Sequence, residues 1–421
     1  MPLTWRILLA LIAGLLAGAV LSATEASVLP QVIAVAEPIG TVWLNALRMT
    51  IVPLVFGLIV TGIASASDAA AAGAVTRRAL LMFAVLLIAS GLFGAVAAPA
   101  LLSIWPAPGG AGEAFRDGLA AQTQVQSIPP PAEWLYQIVP INPVAAAAEG
   151  AMLSIVVFAV LFGFAATRIP AAPRASICAF FDAVVQIMLV IVHWVLLLAP
   201  LGVFALALLV AARAGLGIVG GLAHYVLLMS LLCIATTLAL YLLIAALGAT
   251  SVATFARAAW PAQAVAFSTQ SSLASLPAMV EGVRQYLPVP PRVSNLVLPL
   301  AVSLFRITSP VANLGVALYI AHLYGINPSL LEIAAGALVA AVVSLASVGL
   351  PSQVSFFSVV APVCIVVGAP VEPLALLLAV ESIPDIFRTV GNVTADVAAT
   401  AIVGSREVEG DVPAAEAKAV S

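Results

Sequence analysis

The chain has 421 residues, of which 63% are hydrophobic and 8% are charged, and its mean hydropathy is +1.20. This composition excludes a soluble globular protein and predicts an all-α polytopic membrane protein. The net charge is −3, with one lysine among 15 basic residues, so the sequence offers no basic surface for nucleic acid. The three cysteines lie in apolar runs and show no spacing typical of a disulfide framework or a metal site.

The first part of the chain contains a series of apolar segments that are long enough to cross a bilayer as helices. The first segment follows Arg6 and ends in small residues, as a signal peptide does, but its length and the many later spans favour a retained membrane helix. The one sizeable polar, turn-rich loop covers residues 106–134. The apolar segments occupy residues 5–22, 39–65, 79–104, 135–168, 175–211 and 217–248.

The pattern changes after residue 248. Residues 252–285 and 328–370 are apolar but interrupted by small polar residues and proline. They alternate with two ordinary apolar spans, 293–325 and 371–404, and a short polar tail over 405–421 is predicted to be disordered. This alternation indicates that the two interrupted segments differ in structure from the simple spans around them.

The two interrupted segments also resemble each other in sequence. Residues 268–277 are Ser-Thr-Gln-Ser-Ser-Leu-Ala-Ser-Leu-Pro, and residues 344–353 are Ser-Leu-Ala-Ser-Val-Gly-Leu-Pro-Ser-Gln. Proline and glycine break helices, and lipid cannot satisfy the freed backbone groups, so these tips must lie in protein or beside water. Paired interrupted segments of this kind point to the binding site of a transporter; the alternative is that both are kinked spans.

The basic residues predict the orientation of the chain. With a cytoplasmic N-terminus and alternating spans, the basic residues outside the spans fall mainly on the cytoplasmic side, in agreement with the positive-inside rule. This distribution requires each interrupted segment to enter and leave on the same side, as a re-entrant hairpin, the first from the cytoplasm and the second from outside. The cytoplasmic residues are Arg6, Arg77, Arg78, Arg168, Arg174, Arg257, Arg284, Arg292, Arg406 and Lys418, and the external ones are Arg116 and Arg213.

A stripe of polar residues follows one face of the last apolar segment. At about 100° per residue, Glu381, Asp385, Arg388, Asn392 and Asp396 lie within about 80° of one another. A charge at bilayer depth costs about 2.5 kcal/mol or more unless it is paired or hydrated, so the stripe must face protein or a water-filled cavity. We interpret it as a site for a charged solute; the alternative is a buried salt-bridge network that only holds helices together.

These residues carry a resemblance to a known family. The segment over residues 50–65 resembles the family's second helix, and the short sequences at 142–143 and 199–205 are common in the family. The most specific match is the motif Asp-x-x-Arg-Thr-x-x-Asn-Val-Thr-x-Asp over residues 385–396. The chain resembles the dicarboxylate/amino acid:cation symporters, including glutamate and aspartate transporters, over nearly its whole length. The resemblance implies eight transmembrane helices plus two re-entrant helical hairpins with inverted repeats, a homotrimer, and a transport domain that slides across a fixed scaffold.

The resemblance also implies a division of the chain and a location in the bacterial inner membrane, with both termini in the cytoplasm. The expected units are scaffold helices 1–2 over 1–73, transport-domain helix 3 over 74–105, an extracellular loop over 106–134, scaffold helices 4–5 over 135–215, the rest of the transport domain over 216–404, and a disordered cytoplasmic tail over 405–421.

Residue roles carry over by position. Asp385 matches the residue that holds the substrate amino group, and Arg388 matches the one that holds the side-chain carboxylate of acidic amino acids. Thr389 and Asn392 match substrate contacts, while Asn392 and Asp396 match ligands of a sodium ion. The planar guanidinium suits a carboxylate, and hard oxygen ligands suit sodium. The hairpin tips expected to close over the substrate include Ser271, Ser272, Gly349 and Pro351.

One departure from the family concerns its seventh helix, which usually carries Asn-Met-Asp-Gly-Thr. Here residues 305–309 are Phe-Arg-Ile-Thr-Ser, and Leu86-Leu87 stands where the third helix should supply a Thr-Ser pair. We hypothesise that the Arg306 guanidinium supplies the charge of a lost sodium ion, so that the transporter uses fewer sodium ions, protons or no coupling ion. The alternative is that Arg306 replaces the hairpin arginine of some relatives, at the place of Gln270, and tunes the substrate pocket.

The predicted function is therefore a symporter of aspartate or glutamate, with Na⁺ or H⁺ as the coupling ion and no other cofactor. The alternative is a C4-dicarboxylate symporter for succinate or malate. A channel is disfavoured because no repeated filter is evident. An enzyme is not expected because His193, His224 and His322 are scattered and form no catalytic or metal-binding motif.

Overall fold

The structure is a computed structural model that describes residues 3–24, 28–71, 73–119, 139–214, 217–346 and 352–419. All regular secondary structure within these ranges is helical. The helices are α1 (Leu3–Ala23), α2 (Leu29–Arg48), α3 (Ile51–Ala71), α4 (Ala74–Ile104), α5 (Ala111–Leu119), α6 (Pro143–Glu149), α7 (Met152–Ala166), α8 (Ala171–Leu197), α9 (Ala199–Ala214), α10 (Gly217–Leu247), α11 (Val252–Thr269), α12 (Ser272–Tyr286), α13 (Pro291–Leu304), α14 (Thr308–Leu323), α15 (Leu330–Ala346), α16 (Ser352–Val366), α17 (Leu374–Val380) and α18 (Ser382–Ala419).

Seven helical stretches in the described part of the chain are long and apolar enough to cross a membrane. This finding agrees with the polytopic membrane protein that the composition predicts. The stretches are Trp5–Ala23, Leu29–Ala70, Ala74–Ile104, Ala171–Leu197, Ile218–Leu247, Pro291–Leu323 and Ser382–Ser405.

Two predicted single spans are each divided into two helices. The span over 39–65 is the end of α2 and most of α3, and the span over 175–211 is α8 followed by α9. Pro53 and Pro200 each lie in the first turn of the second helix, where a residue without an N–H is tolerated. Proline therefore marks a helix start within each of these apolar segments.

The predicted polar loop over 106–134 contains a helix in its described part. Helix α5 buries Ala111, Ala114 and Phe115, which recur at helical spacing and pack it against α9, α10 and α14. At the other end of the chain, α18 continues to Ala419 where the sequence predicts a disordered tail from residue 405. Alanine, glutamate and lysine favour a helix in this extension, whereas Gly410 and Pro413 within it do not.

The interrupted segment over 252–285 forms two helices that pack against each other. The connection is Gln270-Ser271, and Gln270 adopts a left-handed conformation with φ of 53°. Pro277 lies inside α12, so the break does not occur at the Leu-Pro pair. In the second interrupted segment, α15 and α16 flank residues 347–351, and the candidate residues Gly349 and Pro351 lie outside the described residues.

The segment over 293–325 is also broken, although the sequence predicts an ordinary span. Phe305, Arg306 and Ile307 separate α13 from α14, and Phe305 has an extended backbone. Pro310 lies in the first turn of α14, where its missing N–H needs no helical partner. The break places Arg306 on non-helical backbone inside the protein.

The helices pack in two regions that also contact each other, through α3 with α4, α15 and α16. In the first, α9 packs against α1 and α2, and α3 packs against α7 and α8. Gly14 and Gly18 allow the close approach of α1 and α9, because a Cβ atom on Gly18 would lie 2.3 Å from the Leu208 carbonyl oxygen. In the second region, α18 packs against α4 and all helices from α10 to α14. The last span is therefore the central helix of the second region.

Candidate functional site

The polar stripe on α18 and the residue before it is buried in protein. Glu381, Asp385, Arg388, Asn392 and Asp396 each expose 7% or less of their surface. The sequence prediction that the stripe avoids lipid is therefore confirmed. Ionised side chains in such an interior need charge partners or hydrogen bonds, and these partners define the chemistry of the site.

Arg388 and Glu381 form a buried ion pair at the start of the stripe. The distance from Arg388 Nη2 to Glu381 Oε1 is 2.7 Å. Tyr225 on α10 donates its hydroxyl to the other carboxylate oxygen of Glu381. The Nε atom of Arg388 has no hydrogen-bond partner among the described residues. The guanidinium thus keeps donor capacity that an anionic ligand can use.

Asp385 lies between these two residues on the same face of the helix. Its carboxyl group is buried and within electrostatic range of both Glu381 and Arg388. Thr389 donates its hydroxyl to the Asp385 carbonyl oxygen at 2.9 Å. A buried carboxylate and a guanidinium one turn apart can hold the positive and negative groups of one small zwitterionic solute.

Asn392 is held by Thr308 at the first turn of α14. The backbone N–H of Thr308 donates to the Asn392 side-chain oxygen at 3.0 Å, and the Thr308 hydroxyl lies 2.8 Å from that oxygen. The same hydroxyl lies 2.9 Å from the Arg388 carbonyl oxygen. The close approach requires glycine on α18, because a Cβ atom on Gly391 would lie 2.4 Å from Thr308 Cγ2. The Thr308 N–H therefore occupies one acceptor position of the Asn392 oxygen, and the single hydroxyl proton of Thr308 is shared between this oxygen and the Arg388 carbonyl.

Arg306 lies beside the far end of the stripe. Its partly buried guanidinium is within electrostatic range of Asp385 and Asp396. Both carboxylate oxygens of Asp396 are buried and have no hydrogen-bond partner among the described residues. Because an uncompensated buried carboxylate is very unfavourable, the positive charge of Arg306 is the compensation that the described residues provide.

Apolar side chains fill the positions where the family resemblance leads us to expect cation ligands. Phe305, Ile307 and Leu87 are buried, and Phe305 stacks on Phe83 with ring centroids 4.6 Å apart and an interplanar angle of 8°. No group of three or more His, Cys, Asp or Glu side chains with metal-binding geometry occurs in the described part of the chain. Of the two candidate sodium ligands, the Asp396 carboxylate has no hydrogen-bond partner in the described residues, whereas the Asn392 oxygen accepts the Thr308 N–H.

The helix pair α11–α12 contacts α18 through the Gln263 side chain. Its side-chain nitrogen donates to Thr394 on α18 at 2.8 Å and to Tyr241 on α10 at 2.9 Å. At the tip, the Ser271 hydroxyl accepts the Ala274 N–H at 3.2 Å as the N-cap of α12, and Ser272 is the first residue of that helix. Both serines are half-buried, and they are placed on an element that packs against α18.

Sequence reasoning did not identify Tyr225 or Thr308 as site residues. Tyr225 lies within the apolar stretch Ile218–Leu247, where a polar hydroxyl is a weak signal of an internal partner. Thr308 follows the helix break that the sequence did not predict. Both residues are brought to the stripe by contacts between segments far apart in the chain.

Comparison with known proteins identifies the family. The sequence profile of the sodium:dicarboxylate symporter family matches residues 3–406. The chain is 29% identical over 413 residues to the proton/glutamate-aspartate symporter of Escherichia coli K12, which covers 96% of this chain and 93% of the relative. It is 27% identical over 377 residues to the proton/sodium-glutamate symport protein of Bacillus subtilis, covering 88% and 86%. It is also 27% identical over 383 residues to the C4-dicarboxylate transport protein of Azorhizobium caulinodans, covering 89% and 83%. The chain therefore belongs to the sodium:dicarboxylate symporter family.

Proposed function

We propose that the protein is a secondary active transporter that carries aspartate or glutamate across the bacterial inner membrane. The observation that carries this proposal is the buried Arg388 guanidinium, with a donor that lacks a partner in the described residues, one turn from the buried Asp385 carboxylate. The name of the Escherichia coli relative, a proton/glutamate-aspartate symporter, supports the same substrate class.

In this proposal each polar residue of the site has one role. Arg388 binds the side-chain carboxylate of the substrate, because a guanidinium forms paired, charge-assisted hydrogen bonds with a carboxylate. Asp385 binds the substrate ammonium group, and Thr389 and Asn392 complete the contacts. The residues assigned to closing the site from the two helix pairs are Ser271, Ser272, Gly349 and Pro351.

We assign Arg306 to the place of a coupling cation. Its charge is within electrostatic range of Asp396, and the Asn392 oxygen already accepts the Thr308 N–H, so this arrangement favours coupling to protons over coupling to sodium. The names of the bacterial relatives include both ions. Sodium bound by Asn392 and Asp396 is the competing assignment, in which the ion would share the Asn392 oxygen with the Thr308 N–H.

The proposed mechanism is an elevator-type movement. Helices α1–α3 and α6–α9 form the fixed scaffold, and α4 with α10–α18 forms the moving unit, in line with the two packing regions. The pairs α11–α12 and α15–α16 are assigned as re-entrant hairpins among eight transmembrane helices. We further propose a homotrimer with both termini in the cytoplasm.

Transport of succinate or malate is the second candidate function. The Azorhizobium caulinodans relative is a C4-dicarboxylate transport protein at nearly the same identity as the glutamate carriers. A dicarboxylate would use Arg388 in the same way but would have no ammonium group for Asp385. The two candidates therefore differ in what they require of Asp385.

The proposal is tested by uptake of radiolabelled aspartate, glutamate and succinate into proteoliposomes, with a pH gradient or a sodium gradient imposed in turn. We expect saturable, pH-driven uptake and exchange of aspartate or glutamate. Arg388→Gln should lower the affinity by at least about tenfold, because a charged hydrogen bond contributes about 1.5–3 kcal/mol. Arg284→Gln, which changes an exposed arginine, is the matched control. Non-saturable flux would instead indicate a channel.

A further inference from the structure

A large apolar crevice lies between the two packing regions. It has a volume of about 1100 Å³ and opens between α3 and α7 on one side and α4, α13 and α15 on the other. Its wall includes Ile59, Phe83, Leu304 and Val342. An apolar concavity of this size is a binding site for apolar groups, and in a membrane protein acyl chains are the available ligand.

The mouth of this crevice is basic. Arg77 in the first turn of α4 and Arg168 just beyond the end of α7 both line it. Both side chains are exposed, and neither forms an ion pair within the described ranges. Arg174 nearby is different, because it forms an ion pair with Asp68. Two guanidinium groups that have no ion-pair partner among the described residues thus lie at one end of an apolar cavity.

The positions of the two arginines fit the depth of lipid headgroups. Each lies at a helix end, whereas the wall residues Ile59 and Phe83 lie farther along α3 and α4. Basic pockets between transmembrane helices bind anionic headgroups, and the attraction comes from the phosphate charge. We propose that this crevice binds one anionic phospholipid, with the acyl chains along the apolar wall and the phosphate between Arg77 and Arg168.

The bound lipid would contact both regions and the helix break beside the candidate site. Phe83 lines the crevice and stacks on Phe305, the residue before Arg306. A lipid at this place would therefore stabilise one relative position of the two regions. Lipid binding itself does not depend on the proposed substrate, so a failure of one proposal leaves the other intact.

The test is native mass spectrometry of the purified full-length protein titrated with phosphatidylglycerol or with phosphatidylethanolamine of the same acyl chains. We expect phosphatidylglycerol to bind at least about tenfold more tightly to the wild type, since each of two arginines near an anionic headgroup contributes about 1 kcal/mol and about 1.4 kcal/mol is a tenfold change in Kd. The double variant Arg77→Gln/Arg168→Gln should reduce this preference to less than about twofold. Arg257→Gln/Arg284→Gln, two exposed arginines away from the crevice, should preserve it.

A second variant tests the acyl-chain part of the site. Ala84→Trp places a large side chain from α4 in the crevice and should weaken binding of both lipids. The thermal unfolding midpoint of this variant is measured to check that it folds. The proposal is overturned if the wild type binds the two lipids equally, or if the double arginine variant keeps the full preference. Displacement of the lipid by millimolar inorganic phosphate would also overturn it, because the site would then recognise a free anion.

Discussion

Glu381 lies two helical turns before Arg388, and its Oε1 atom is 2.7 Å from Arg388 Nη2. An internal carboxylate therefore occupies part of the guanidinium that an acidic substrate needs in the proposed function. The charged and titratable groups around Glu381 are Arg388, Tyr225, Asp385 and the buried Cys233 thiol. A proton on Glu381 would neutralise this internal competitor and release Arg388 for the substrate carboxylate.

The first prediction concerns Glu381→Gln. In the wild type, acid pH should raise the affinity for aspartate, because protonated Glu381 no longer competes for Arg388. The variant should bind aspartate with an affinity that is nearly independent of pH. It should retain exchange of internal for external aspartate while pH-driven accumulation falls by at least about tenfold, the effect of about 1.4 kcal/mol. Exchange and accumulation in proteoliposomes from pH 5 to 8 measure both effects.

Tyr225→Phe is the matched control for this experiment, because it removes only the hydroxyl that donates to Glu381. It should shift the pH dependence without abolishing it. If Glu381→Gln kept wild-type pH dependence and full accumulation, Glu381 would not be the proton-carrying group.

The second prediction separates the two candidate substrates at Asp385. For an amino acid substrate, Asp385→Asn should weaken aspartate binding by at least about tenfold, because the ammonium group loses a buried charged partner. Succinate, which has no ammonium group, should gain affinity relative to aspartate. Competition of unlabelled succinate against labelled aspartate measures the change. An equal loss for both compounds would favour a structural role for Asp385.

The third prediction concerns Arg306→Met. Removing this guanidinium leaves the buried Asp396 carboxylate without its compensating charge, so the protein should be destabilised, by less than the roughly 3–5 kcal/mol that loss of a contacting ion-pair partner costs. If Arg306 stands in for a bound cation, sodium should restore part of the lost stability and the variant should take up substrate only with sodium. Thermal unfolding and uptake in a sodium titration report the two effects.

The double variant Arg306→Met/Asp396→Asn provides the control, because it removes both charges together. It should be more stable than Arg306→Met and insensitive to sodium. Unchanged ion dependence in Arg306→Met would contradict the assignment of Arg306 as an internal cation and would favour its role in tuning the substrate pocket.

The fourth prediction concerns the contact between α18 and α14. In Gly391→Ala, the new Cβ atom would lie 2.4 Å from Thr308 Cγ2 and 2.7 Å from Thr237 Oγ1. We expect a loss of about 1–3 kcal/mol of stability from this overpacking, together with weaker substrate binding as Thr308 moves from Asn392. Gly220→Ala is the control, because its Cβ atom would meet only Pro108, at 3.6 Å. Equal stability of the two variants would show that α14 can shift without penalty.

The order of the main apolar segments and the buried stripe on α18 were both predictable from the sequence. Composition and helical periodicity are local properties, and five polar residues on one face of an apolar helix can have only a buried or hydrated location. The resemblance over residues 385–396 then pointed to a carrier, and the family match agrees with it. These conclusions need no knowledge of which helices are neighbours.

The tertiary structure alone decided which side chains from other helices contact the polar stripe. Tyr225 reaches Glu381 across 156 positions of the chain, and Thr308 reaches Asn392 across 84. The break at Phe305–Ile307 was also missed, since an apolar run does not reveal whether its helix is continuous; packing against α18 and the fixed backbone of Pro310 accompany that break. Sequence periodicity fixes the face that a side chain occupies, whereas its partner depends on the packing of helices that are far apart in the chain.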